Sequence, residues 1–84
     1  MSLDQIRARV LAALSEMGVE GADPRFERPR DPSHGDWATN VAMTLAGTLR
    51  RPPRAIAEEL ASRIPTGSGG IGAVEVAGPG FLNF

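Results

Sequence analysis

The segment Val74-Glu75-Val76-Ala77-Gly78-Pro79-Gly80-Phe81-Leu82-Asn83-Phe84 reads as two strands about a turn, and the rest of the fold is organised around it. Pro79 presets φ for the second position of a turn, and Gly80 supplies the positive φ that a type II turn needs at its third. Type II geometry matches the twist of a hairpin poorly, so a corner at Gly78-Pro79-Gly80 is the other reading. Beyond the turn, the period of two sets Phe81 and Asn83 on one face and Leu82 and Phe84 on the other. With Leu82 and Phe84 inward, an aromatic ring and a carboxamide stand side by side outward. Such a pair suits stacking on a nucleobase and hydrogen bonding to its edge. The bland alternative packs Phe81 in a core and leaves Asn83 facing solvent.

Outward from this segment, two helices are read from apolar spacing. Leu3, Ile6, Val10, Leu14 and Met17 recur at three and four residues, which predicts an amphipathic helix over residues 2–18. Ser2 serves as its N-cap and Gly18 as its stop. Pro52 and Pro53 open a further helix, since proline is tolerated in a first turn, and Ile56, Leu60 and Ile64 form its apolar face. Between these, Arg25-Phe26-Glu27-Arg28 reads as a short strand ended by Pro29. The segment from Pro29 to Gly35 is irregular.

Asp36 stands in an N-cap position, predicting a helix from Trp37 to about Arg50. Its inward residues are Trp37 or Ala38, Val41, Leu45 and Leu49, while Ala42 and Ala46 permit close approach. Arg50 and Arg51 fall in its last turn, where positive charge suits the macrodipole. Pro65 to Gly70 reads as a flexible loop, and Ile71–Ala77 and Phe81–Phe84 as the last strands. The expected order is helix, strand, helix, helix, strand, strand. That segregation predicts an α+β fold, a small and largely antiparallel sheet with about three helices packed on one face.

Composition narrows the function classes. Eighty-four residues with 42% hydrophobic content suit one small domain with a modest core. The chain holds no cysteine, which excludes a disulfide framework, a thiolate metal site and a cysteine nucleophile. No apolar run approaches the ~20 residues that span a bilayer. The N-terminus lacks a secretion-signal pattern, so a cytoplasmic protein is expected, with neither membrane nor DNA as a partner.

The formal net charge of −1 argues against tight autonomous binding of nucleic acid. Yet all nine basic residues are arginine, and six of them fall between residues 25 and 54 against three acidic ones. Arginine favours bidentate phosphate contact and stacking; its use in place of lysine also fits a GC-rich genome.

Residues that might carry chemistry resolve mainly into structural roles. Ser33, His34 and a nearby aspartate do not make a triad, because adjacent side chains rarely converge on one point. His34 with Asp31 and Asp36 lacks a metal-ligand spacing. Gly35 and Asp36 suit a sharp turn and a cap. The same helix start, with Arg30 and His34 nearby, also suits a phosphate. The absence of lysine removes a P-loop lysine and Schiff-base chemistry, and Gly67-Ser68-Gly69-Gly70 reads as a connector.

The terminal segment, taken with Asp31-Pro32-Ser33-His34-Gly35-Asp36-Trp37-Ala38-Thr39-Asn40-Val41-Ala42, resembles the N-terminal additional domain of arginyl-tRNA synthetases. The likeness runs from about the first helix to Phe84 and covers nearly the whole chain. It implies one domain over residues 1–84, cut from a longer chain, with tRNA(Arg) and the catalytic domain of the same chain as partners. The resemblance also implies contact with the D-loop corner of the tRNA. Phe81 matches the family's stacking aromatic, and Asn83 the amide that hydrogen-bonds the base. Gly78 stands where the family can carry a further base-contacting side chain, so that contact is absent or made by backbone.

A parent enzyme of this kind carries ATP with magnesium in its catalytic domain; no cofactor is expected in the present segment. Ser33-His34-Gly35-Asp36 is a superficial echo of the class I signature without its second histidine, so this chain alone is not expected to activate an amino acid. An alternative of another class is a packing or protein-interaction domain, motivated by apolar surface around Phe84.

Overall fold

The computed structural model describes residues 3–29, 35–66 and 73–84. Its elements in order are α1 (Leu3–Glu16), β1 (Phe26–Glu27), β2 (Ala38–Thr39), α2 (Val41–Leu49), α3 (Pro53–Arg63), β3 (Glu75–Ala77) and β4 (Phe81–Asn83). The strands form one sheet in the order β1-β2-β4-β3, and every neighbouring pair is antiparallel. The α+β class and the helix-covered antiparallel sheet follow the sequence reading. No helix among the described residues is long and apolar enough to cross a membrane.

Both periodic helices form. In α1 the apolar stripe buries Ile6, Val10, Ala13 and Leu14. The helix ends with Gly18 N–H donating to Ser15 O at 3.0 Å and Val19 N–H to Leu14 O at 2.8 Å, the paired closure of a Schellman motif. In α3, Pro52 is the N-cap and Pro53 the first helical residue. Ile56, Ala57 and Leu60 are fully buried and Ile64 nearly so. This helix lies at the centre of the fold, touching α1, α2, β3 and β4. Leu82 enters the same core from the sheet with none of its surface exposed.

The expected helix from Trp37 is corrected. Residues 38–39 are a strand, and α2 begins only at Val41, with Asn40 at the N-cap. The cause is non-local. Asp36 N–H and Trp37 N–H both donate to Phe84 O, at 2.6 and 3.2 Å, and Phe84 N–H donates to Trp37 O at 2.7 Å. Backbone pairing with the far end of the chain takes the groups that a local helix would have used. Gly35 makes the approach possible. Its φ is +104°, and a Cβ there would collide with the carbonyl oxygen of Phe84.

Two smaller expectations also change. Arg50 is not a last-turn residue but the C-cap of α2, in the left-handed region at φ 53°. The turn before β4 centres on Gly78 and Pro79 rather than on Pro79 and Gly80. Gly80 N–H donates to Ala77 O at 3.4 Å, and Gly78 takes a φ of +54°. A positive φ at the first central position is the primed-turn habit that fits hairpin twist. Accordingly β3 and β4 form a hairpin, with Ala77 opposite Phe81, and not a corner. Phe84 is half-buried, with its ring edge-on to Phe26 at 6.1 Å.

Candidate nucleic-acid interface

Strand register sorts the sheet residues into two faces, because residues directly opposite in an antiparallel pair share a side. One row is Phe26, Thr39, Leu82 and Val76, which meets the helices. The next is Glu27, Ala38, Asn83 and Glu75, and it lies on the opposite face together with Phe81 and its partner Ala77. Phe81 and Asn83 therefore do share the side that points away from the core.

On this face a hollow of about 370 Å³ is lined by Glu27, Arg28, Pro29, Ala38, Ala77, Phe81 and Asn83. That volume falls within the ~300–1,000 Å³ span of small-ligand pockets. Phe81 is half-buried. Asn83 is only 7% exposed, so the amide lies at the floor of a groove rather than projecting freely. Its side chain makes no hydrogen bond among the described residues, and no fully buried side-chain nitrogen or oxygen there lacks a partner. Among the described residues, the donor and acceptor capacity of the Asn83 carboxamide is unused.

Gly78 sits at the hairpin tip beside Phe81. A Cβ at Gly78 would come 3.8 Å from Phe81 Cδ2, and Arg54 Nη1 donates to Gly78 O at 2.9 Å. The carbonyl at this position is thereby occupied by an arginine of α3. Arg30 and His34 lie outside the described residues. Among the described residues, no cluster of three or more acidic, histidine or cysteine side chains is arranged to hold a metal.

Several groove residues were not singled out from sequence. Ala38 was hidden by the helix assignment, and Glu27 and Arg28 belonged to a strand whose neighbour was unknown. The strand signal was present in Trp37 and Thr39, which favour strands, and in Asn40, a better helix starter than its position suggested. Arg28 lies over the Trp37 ring, 4.4 Å from its centroid, and Arg28 Nη1 donates to Asp36 O at 3.4 Å. The stacked ring fixes the end of β1 against the start of β2.

Electrostatics differ across the molecule. Glu59 on α3 accepts from Arg51 Nη1 at 2.6 Å and from Arg63 Nε at 3.1 Å. These bonds, Arg51's first, hold its carboxyl below the ordinary carboxylate value. Arg63 is raised in turn, first by Glu16 and then by Glu59. Arg25, by contrast, is 87% exposed, with Asp23 at 3.8 Å.

Comparison with known proteins agrees with this architecture. Residues 4–84 match the family described as the arginyl tRNA synthetase N terminal domain. An arginine–tRNA ligase of Shouchella clausii is 45% identical over 85 residues, covering 96% of this chain and 15% of its own. One from Micrococcus luteus is 49% identical over 80 residues, covering 95% and 14%. The solved Thermus thermophilus arginyl-tRNA synthetase superposes with a TM-score of 0.75 at 36% identity, across all of this chain and 14% of that one. The chain thus spans about one seventh of the length of the relatives it matches. It belongs to the arginyl-tRNA synthetase N-terminal domain family.

Proposed function

We propose that this domain is the tRNA-recognition module of an arginine–tRNA ligase and that it grips the D-loop corner of tRNA(Arg) through the open face of its sheet. ATP-dependent activation of arginine and its transfer to tRNA belong, in this reading, to the catalytic domain of the same protein, where ATP and magnesium bind. The observation that carries the proposal is that one groove holds both the ring of Phe81 and the carboxamide of Asn83, which has no side-chain partner among the described residues. An unstacked base laid on Phe81 brings its edge towards Asn83, whose amide both donates and accepts. Gly78 leaves room beside the ring, and its lack of a side chain limits readout here to Asn83 and backbone. Arg30 and His34, next to the groove wall in sequence, are proposed to assist at the tRNA backbone.

Stacking of one base contributes roughly 1–3 kcal/mol. In the intact ligase, Phe81→Ala is expected to raise KM for tRNA(Arg) by about 5- to 150-fold, the same energy expressed as a ratio. Arginine activation measured by pyrophosphate exchange should be unchanged under conditions that do not need the D-loop contact. Equal tRNA kinetics in variant and parent would overturn the reading.

A further inference from the structure

A second hollow, of about 190 Å³, lies on the same open face and is lined by Arg25, Phe26, Glu27, Ala38 and Asn40. It adjoins the Phe81–Asn83 groove, because Glu27 and Ala38 line both. We infer that this hollow is a sugar–phosphate subsite, in which Arg25 and Asn40 hold the backbone of the nucleotide next to the one stacked on Phe81. The inference rests on the RNA-contact reading above and adds to it a position, a charge and a donor.

Register explains the placement. Phe26 pairs with Thr39 and Thr39 with Leu82. Arg25 and Asn40, the next residue on each of the two strands, line the hollow together. The hollow that holds the cation and the Asn40 amide thus adjoins, through Glu27 and Ala38, the groove that holds the aromatic ring. Single-stranded nucleic acid is held in this way, by a base on an aromatic platform and a backbone tracked by adjacent cations.

Among the described residues, neither polar side chain makes a hydrogen bond that ties it to the fold. Asn40 occupies the N-cap of α2, where its oxygen would ordinarily accept from a first-turn N–H, yet it makes no side-chain cap bond. Thr39 Oγ1 accepts from Val41 N–H instead, at 3.3 Å. The exposed Asn40 carboxamide is left to the hollow. Among the described residues, Arg25 has only the 3.8 Å approach of an exposed Asp23, a pairing of small energetic consequence. Glu27 lines both hollows, so its carboxylate opposes a phosphate in either, and Arg25 is the cation that offsets it.

The test is the salt dependence of tRNA(Arg) transcript binding to the intact ligase. A phosphate contact contributes about 0.7–0.9 to the slope of log affinity against log salt. Arg25→Ala is expected to weaken binding at low salt and flatten the slope by about that amount, and Arg25→Lys to keep the slope. Asn40→Asp, which swaps the donor for a carboxylate but suits the N-cap equally, should weaken binding without lowering Tm. Phe81→Ala should weaken binding at unchanged slope. An unaltered slope in Arg25→Ala while Phe81→Ala weakens binding overturns the subsite and leaves the base contact standing. A flattened slope with no effect of Phe81→Ala supports the subsite and removes the stacking. If neither variant changes binding, both fall. Lower Tm with an unchanged slope in Arg25→Ala assigns Arg25 to protein packing and also overturns the subsite.

Discussion

On the helical side of the molecule, Glu59 lies between Arg51 and Arg63, at 2.6 and 3.0 Å, and Arg63 also reaches Glu16 at 3.2 Å. On the open face of the sheet, Arg25 points into solvent beside a hollow, and Arg28 is held by an aromatic ring and a carbonyl. Arg51 and Arg63 are thus paired with carboxylates, whereas among the described residues Arg28 has no carboxylate partner and Arg25 only the loose approach of Asp23. A net charge of −1 therefore describes neither surface. The contrast extends to the apolar residues: Leu82 has no exposed surface, while Phe81, its neighbour in β4, is half open to the groove.

Exchanging the two neighbours is the strongest way to break this contrast. Leu82→Ala removes a fully enclosed side chain from the helix-facing core and is expected to lower stability by about 2–5 kcal/mol, read by urea or thermal unfolding. Phe81→Ala should cost much less stability and act on RNA binding instead. Similar stability losses in the two variants would mean that both rings of contact belong to one core, and the open face would have no separate role.

A next smaller effect tests the junction that creates the face. Gly35→Ala forces a Cβ against the Phe84 carbonyl and a side chain onto a φ of +104°. It should destabilise by more than about 1 kcal/mol and increase amide exchange at Asp36, Trp37 and Phe84 together. Unchanged exchange at Phe84 would remove the long-range pairing as the cause of β2.

The smallest effect lies on the helical side and is seen in acid. The folded state holds the Glu59 carboxyl below its ordinary value through Arg51 and Arg63. Its contribution is thus fully present above the unfolded carboxylate range and is lost as pH falls through the depressed folded value. Glu59→Gln should slightly lower Tm at neutral pH, and the difference from the parent should shrink as the solution is acidified. A difference independent of pH would show that Glu59 acts through packing and not through its charge.

Much of the helical layer was legible in the sequence. The apolar spacing of α1 and the proline start of α3 are local signals, and local hydrogen bonds and burial follow them. The β4 alternation was equally local, and it correctly separated Leu82 from Phe81 and Asn83. The strand at residues 38–39 was not legible, because what selects it is the backbone of Phe84, far away in the chain. Once that strand is missed, the neighbours of Asn83 are missed with it. Ala38 and Glu27 could not be set beside the amide, nor Arg25 beside Asn40, since only the inter-strand register brings them together. The depth of Asn83 was hidden for the same reason. A residue on the outer face reads as exposed until its flanking rows are known.

The central claim is that RNA meets this domain on the open side of the sheet. An amide-resolved NMR titration of the 15N-labelled chain with tRNA(Arg) tests it most directly. The account predicts shifts concentrated at Arg25, Glu27, Ala38, Asn40, Phe81 and Asn83, with α1 and the exposed side of α3 unmoved. Shifts confined to the helices, with those six residues silent at saturating RNA, would contradict it.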